Sequence, residues 1–236
     1  MGHSNIQGGL TGINKTNDLI DIIREHSIDV LSLNETNLND SIDTSTLNIP
    51  HSHDFIRKDR GKGSRGGCGL LVNKNCNYAP YKINITIDKI EAVWIKLKDA
   101  KVFICGFYRS GNYCPVDTFL EYMTECMRKL RGKKVIWIGD INIDQNNVNS
   151  APYKKLDMVL KSFNMVQAIQ GYTRIAKRGD TFTKSTIDVC FTNCYSDFQD
   201  SSVLLDCPGD HQVIKCVLDF KVKPADKYEK ITIRDH

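Results

Sequence analysis

Seven short runs rich in apolar, β-branched and aromatic residues limit the fold more than any other feature: DVLSLN (29–34), CGLLVN (68–73), EAVWIKL (91–97), KVFICGFY (101–108), KVIWIG (134–139), TIDVCFT (186–192) and HQVIKCVLDF (211–220). Only three segments show helical periodicity. Residues 17–27 carry Leu19, Ile20 and Ile23 on one face; 116–131 carry Phe119, Leu120, Met123, Met127 and Leu130, with Gly132 just beyond; 152–163 carry Leu156, Val159, Leu160 and Phe163. Strands therefore outnumber helices, and Lys98-Asp99-Ala100 is a hairpin-length link between two of them. Mixed sheets with helices packed outside them are therefore expected ahead of a regular alternation of strand and helix.

The chain has 236 residues, enough for one sizeable core, so a single domain is expected over 1–220. Residues 221–236 turn polar and charged and read as a tail or as the start of a link to a further domain. The apolar runs are too short to cross a bilayer and the N-terminus lacks the pattern of a signal peptide, so a soluble, intracellular protein with no membrane partner is expected. Nine cysteines, an odd number without a CxxC pair, fit buried free thiols better than disulfides or zinc. A net charge of +4 permits a polyanionic partner without requiring one.

The polar residues at strand ends carry the functional signal. LSLNET ends in Glu35, WIGDIN in Asp140 and Asn142, STIDVCF places Asp188 inside an apolar run, and CPGDHQVI sets Asp210 and His211 before a strand. Each alone has a plain structural explanation as a turn, cap or satisfied buried group. Together they form a set suited to phosphodiester hydrolysis. Carboxylates such as Glu35 and Asp210 are hard oxygen ligands for magnesium, a nearby acid can activate water, and a histidine oriented by a second acid can stabilise a phosphoryl oxygen. Gly139 is expected to give the backbone room to turn, with Asp140 and Asn142 alternating across the pleat to one face. Asp144 continues the alternation and reads as structural.

Asn5 in SNIQGGL, Glu35 in LNETNL, RGGCGLLV (65–72), Tyr108 in GFYRSG, GDINID (139–144), STIDVCF (185–191) and GDHQVI (209–214) occur in the order of the exonuclease–endonuclease–phosphatase superfamily. Over nearly the whole chain the sequence most resembles the apurinic-type endonuclease domain of non-LTR (LINE-type) retrotransposons. The resemblance implies an α/β fold, a four-layer α/β sandwich of two mixed β-sheets packed face to face with helices on the outside. It makes Glu35 the principal ligand of Mg2+, for which Mn2+ can substitute, with Asn5 and Asp210 near the metal. Asp140 becomes the general base, Asn142 an orienting group, and His211 paired with Asp188 a donor to the scissile phosphate, to which Tyr108 also supplies its hydroxyl. It further implies a double-stranded DNA substrate, linkage to a reverse transcriptase domain, and action in the nucleus. Two departures stand out: Gly209 replaces the usual serine before Asp210, and Gln7 stands where some cellular relatives have an acid. Other readings are a cellular abasic-site nuclease or phosphatase with the same core, and a non-catalytic nucleic-acid-binding module.

Two basic segments bear on DNA. RKDRGKGSRGG (57–67) puts five cations among glycines, which suits a phosphate contact as well as a solvated turn. TRIAKRGDTFTKST (173–186) has hairpin character around Gly179-Asp180. By resemblance that hairpin reaches toward DNA, which makes Thr173, Arg174, Lys177, Arg178 and, beside the active end, Arg109 the expected DNA contacts.

Overall fold

Period-two alternation divides each central strand between two cores, and the division builds the layers. A computed structural model describes residues 1–11, 13–61, 65–204 and 209–220. The first six-stranded sheet contains β1 (Gly2–Asn5), β2 (Val30–Asn34), β3 (His53–Lys58), β4 (Cys68–Asn73), β13 (Phe198–Leu204) and β14 (Val213–Leu218), in the order β13-β14-β1-β2-β4-β3. The second contains β5 (Tyr78–Pro80), β6 (Glu91–Leu97), β7 (Val102–Tyr108), β8 (Lys134–Asp140), β9 (Val166–Gln167) and β12 (Asp188–Thr192), in the order β5-β6-β7-β8-β12-β9. A separate hairpin pairs β10 (Arg174–Arg178) with β11 (Thr181–Ser185). Both sheets are mixed: β1 runs parallel to β2 and antiparallel to β14, while β7 runs parallel to β8.

On β2, Leu31 and Leu33 pack against Leu19 and Ile23 of helix α1 (Ile13–Glu25), whereas Val30 faces the other sheet. On β8, Val135 and Trp137 face α2 (Val116–Lys129) and α3 (Ala151–Ser162), whereas Ile136 and Ile138 meet Leu70, Ile104 and Cys190 between the sheets. The order is helix, sheet, sheet, helices: the expected four-layer sandwich. Trp137 is fully buried and receives Trp94, Phe107 and Tyr122 in edge-on contacts with ring centroids 4.9, 5.9 and 6.0 Å away. Ser150 caps α3 by accepting a hydrogen bond from the Tyr153 amide, and Arg128 and Lys129 sit at the favourable end of the α2 dipole.

The three helices and seven strand runs form close to where the sequence puts them. Residues 221–236, 62–64 and 205–208 lie outside the described residues. The strands that sequence patterning missed are mainly the polar edges β3 and β13 and the short β1. β1 has no apolar run, yet lies at the centre of its sheet, because strands on both sides satisfy its backbone and its polar side chains find partners in the second sheet. The role expected of Gly139 needs correction. The strand runs on to Asp140 without turning, and a Cβ at 139 would lie 1.9 Å from the Phe107 carbonyl oxygen. Glycine is there so that β7 and β8 can approach.

Replacing Gly139 with alanine should therefore destabilise the protein by about 1–3 kcal/mol, the usual range for overpacking. Met158→Ala, on the exposed side of α3, should stay within about 0.5 kcal/mol. Urea denaturation of both variants against the parent checks this.

Candidate active site

Where the sandwich's inner faces reach one end, apolar rows give way to polar ones. Val30 is followed on its face of β2 by Ser32 and Asn34, Ile136 and Ile138 on β8 by Asp140, and β12 opens with Asp188 directly across from Asp140. Parallel pairing of β1 with β2 aligns His3 with Ser32 and Asn5 with Asn34. Four hydrogen bonds then join the sheets: Ser32 Oγ donates to the Ile138 carbonyl (3.1 Å), the Asp140 amide to Asn34 Oδ1 (2.8 Å), Asn5 Nδ2 to Asp140 Oδ2 (3.1 Å), and His3 Nε2 to Asp188 Oδ1 (3.1 Å). On the far side of Asp188, His211 Nδ1 lies 2.9 Å from Oδ2 and 3.1 Å from Oδ1.

This places two buried carboxylates side by side, and their surroundings drive them apart. Burial and the neighbouring charge of Asp188 push Asp140 up to about 7, only partly offset by His211 and by its bonds from the Asn142 amide and Asn5. Burial would raise Asp188 too, but hydrogen bonds from His211 and His3 outweigh it and hold that carboxylate ionised, below its ordinary range. Burial by itself would lower His211; its bond to Asp188 and the charge of that carboxylate reverse the shift and raise it. The centre thus combines an acid able to exchange a proton near neutrality with an imidazole held toward its cationic form. Nδ1 is committed to Asp188, which leaves Nε2 for a substrate.

Asn142 stands beside this centre, though not by strand alternation. β8 ends at Asp140, and Asn142 has a left-handed backbone (φ 50°) in a turn closed by its amide donating to Asp140 Oδ1 at 2.8 Å. Glu35, also left-handed (φ 57°), follows β2 at the same end. Its Oε1 accepts from Asn5 Nδ2 (3.2 Å) and the Tyr108 hydroxyl (2.9 Å), while Oε2 has no partner among the described residues. Tyr108 is buried, and burial together with the Glu35 charge raises its hydroxyl far above the ordinary range, so it remains a donor.

The half-buried Glu35, with one free carboxylate oxygen, fits a hard divalent cation that keeps most of its waters. Ligand-type atoms of Asp140, Asp188 and His211 also lie within 4.8 Å of one another, but that cluster is buried and its carboxylate oxygens already accept hydrogen bonds. Asn5 lies beside Glu35, its Nδ2 3.2 Å from Oε1. Two carboxylates surround its amide nitrogen and the Gln7 amide donates to its Oδ1 at 3.2 Å, so it bridges acids. Asp210 is paired in the structure: Gln7 Nε2 donates to its Oδ1 and Arg174 Nε to its Oδ2 at 2.8 Å.

The expected DNA contacts divide. Arg109 is 4% exposed and its guanidinium donates to the carbonyls of Ile141, Cys114 and Asn142, so it braces the loops behind Asp140 instead of facing a substrate. Thr173 is fully buried; its hydroxyl accepts from the Ile187 and Asp188 amides at 3.0 and 2.9 Å and fixes the start of β12. Arg174 is paired with Asp210. Lys177 is exposed on the hairpin opposite Phe182, itself 62% exposed, and Lys184 lies over the Tyr172 ring. The side chain of Arg178 lies outside the described residues. Backbone bonds from Ile175 to Asp210 and from Gln212 to Thr173, both 2.7 Å, tie this hairpin to the His211 segment. In the other basic segment Arg57 donates to the Ile42 carbonyl, and Arg60 pairs with Glu91 and stacks over Tyr113. The sequence did not single out His3 or Phe182, and it marked Gln7 only as an amide in an acid's place. The signals for the first two were a histidine in a strand position and an aromatic residue beside a turn.

The profile of the Endonuclease/Exonuclease/phosphatase family matches residues 2–211. The chain belongs to that family. Its members are metal-dependent hydrolases, nucleases and phosphatases among them. No curated protein sequence matches the chain. Among solved structures, the endonuclease domain of TRAS1, a telomere-specific non-LTR retrotransposon, is similar at 17% identity and TM-score 0.74, covering 93% of this chain and 98% of that one. The AP endonuclease LMAP of Leishmania major is similar at 15% identity and TM-score 0.75, covering 91% and 86%. The APE2 catalytic domain of Xenopus laevis is similar at 14% identity and TM-score 0.72, covering 96% and 93%. At these identities the likeness establishes the family fold. The family's hydrolytic chemistry agrees with the acid, imidazole and open carboxylate gathered here.

In the metal-free protein, carboxyl NMR should show Asp140 titrating near pH 7 and Asp188 remaining ionised far below it. Because the folded-state value of Asp140 lies above its unfolded value of about 4, its stabilising contribution is complete below pH 4 and is lost as pH rises through about 7. Asp140→Asn should flatten that stretch of the stability–pH curve, and chemical denaturation at a series of pH values measures it.

Proposed function

We propose that the chain is a magnesium-dependent DNA endonuclease, the nicking domain of a non-LTR retrotransposon, which cuts one strand of duplex DNA and leaves a 3′-hydroxyl for a linked reverse transcriptase to extend. The observation that carries this reading is the meeting of Asp140, the Asp188–His211 pair and the open Glu35 oxygen at one end of the sandwich, beside a hairpin exposing Lys177, Phe182 and Lys184. The ETNL, GGCGLLV and YRSG forms and a compact length shared with the TRAS1 domain support the retrotransposon branch. This reading carries with it a nuclear site of action. Manganese should substitute for magnesium.

Asp140 accepts a proton from the attacking water, a task suited to a carboxylate titrating near neutrality. Asn142 orients that water and the phosphate. His211, steered by Asp188 through Nδ1, offers Nε2–H to the phosphoryl oxygen as negative charge grows there. Tyr108 and Asn5 hold Glu35 in place. A cation held at Glu35 would neutralise phosphate charge and stabilise the leaving oxygen. Arg174 is partly exposed beside Asp210, where a DNA phosphate could compete for its guanidinium.

Magnesium should convert supercoiled plasmid to nicked circle, and chelator should stop it. Asp140→Ala and His211→Ala should each slow single-turnover nicking on the order of a hundredfold or more with DNA affinity nearly unchanged, whereas Glu35→Ala should also raise the magnesium requirement. Undiminished cutting in chelator would sink the metal-dependent reading. Strong cleavage of abasic duplex with little nicking of intact plasmid, or release of inorganic phosphate from 3′-phosphate ends, would replace the retrotransposon assignment with a repair nuclease or a phosphatase.

The hairpin should govern where the enzyme cuts. Exposed cations and an aromatic ring respond to groove width and deformability, whereas the buried groups act on a phosphate common to all sequences. Phe182→Ala and Lys177→Ala should shift nick positions mapped by primer extension, with a single-turnover rate at a strongly preferred site changed by less than about threefold. A preserved nick pattern with a collapsed rate would instead make the hairpin a support of the catalytic centre.

A further inference from the structure

Asp188 is held by two histidines, and the reading above uses only one. His3 Nε2 lies 3.1 Å from Asp188 Oδ1, with both side chains fully buried. A carboxylate only accepts, so Nε2 carries the proton and a neutral ring is left with Nδ1 as an acceptor. That Nδ1 is buried and has no hydrogen-bond partner among the described residues. An unsatisfied buried polar atom is unfavourable, and an aliphatic residue at this central strand position would avoid it. The arrangement therefore sets an imidazole against Asp188 at a cost in stability.

The register explains what the imidazole does there. β1 fixes the His3 backbone between Ser32 and Ile214, and the ring crosses to the second sheet. Asp188 is held at its amide by the Thr173 hydroxyl, but its carboxylate is free to turn about a broad terminal torsion unless something pins an oxygen. His3 pins Oδ1, and Oδ2 then faces His211 Nδ1 at 2.9 Å. We propose that His3 is a positioning residue, whose Nε2–H locks the Asp188 carboxylate so that Asp188 can lock His211 in the tautomer and orientation that serve the phosphate. The inference rests on the reading of His211 as the phosphate donor, and it adds a second imidazole to what is otherwise an acid–histidine pair.

Two substitutions separate positioning from packing. His3→Leu removes the donor and keeps an apolar filling; His3→Gln keeps an amide N–H that reaches the position of Nε2. Single-turnover plasmid nicking should fall about tenfold to a hundredfold in His3→Leu, the usual effect of losing a group that orients a reacting residue, with DNA Kd changed by less than about twofold. His3→Gln should recover most of the rate. In a His211→Ala background, His3→Leu should cause no further loss, because there is no imidazole left to orient. Independently of activity, the His211 Nδ1 proton resonance should be visible downfield in the metal-free parent, be lost or broadened in His3→Leu, and return in His3→Gln. If His3→Leu does not fold, His3→Asn, one methylene too short to reach Asp188, takes its place in each comparison. An unchanged rate with an unchanged His211 resonance, or losses that add fully to those of His211→Ala, would overturn the proposal. A parent protein that fails to nick DNA would defeat the proposed function instead, and the resonance would still decide the role of His3.

Discussion

Two ionisable carboxylates lie buried side by side between two sheets, and much of the active end follows from satisfying them. Asp140 and Asp188 face each other across an antiparallel pair, where like charges at close range cannot both ionise freely. The conflict is resolved by unequal partners. Asp188 receives two imidazoles; Asp140 receives an asparagine and a backbone amide and stays close to neutrality in its ionisation. These partners come from β1 in the opposite sheet and from the segments flanking β8 and β14. The packing of the sheets and the tuning of the site are thus one arrangement. It also explains how a short polar strand occupies the middle of a sheet: β1 supplies side chains that the other sheet's acids require.

The same end of the molecule separates buried, braced polar groups from exposed cations and aromatic rings. The acids and imidazoles to which the proposed function gives proton transfer are buried and cross-braced; Arg109 and Thr173 hold loops and the start of β12. Exposed cations and aromatic rings gather on the β10–β11 hairpin, joined to the centre by backbone bonds at residues 173–175 and 210–212. A hairpin attached in this way can vary at its tip without disturbing the acids. Arg174 stands at the junction, paired with Asp210, where the arriving negative charge of a phosphate would meet the paired charges already present.

Much of the architecture was legible in the sequence. Apolar runs of strand length outnumbering three amphipathic helices favoured mixed sheets covered by helices, because alternating faces must be buried against another layer. Glu35, Asp140, Asn142, Asp188 and His211 were visible for the same reason: a charged or amide group beside a core strand needs a partner or a task. Sequence did not show that Gly139 serves close approach of β7 and β8, since the constraint comes from the carbonyl of Phe107 on another strand. Nor could it show that Asn5 bridges acids or that Asp210 is paired. Those facts depend on which donors lie nearby after folding.

The division has a common physical cause. Covalent order and hydrophobic period determined which segments become strands and helices, and which positions had to be polar at their ends. Partner choice was left to the tertiary structure, because hydrogen bonds and pKa shifts act over a few ångströms between residues far apart in the chain. His3 and Asp188 are separated by 185 positions and Asn5 and Asp140 by 135, yet each pair lies within hydrogen-bonding distance. Only the parallel register of β1 beside β2, and the facing of that sheet against β8 and β12, made a histidine near the chain start part of the centre at the other side of the fold.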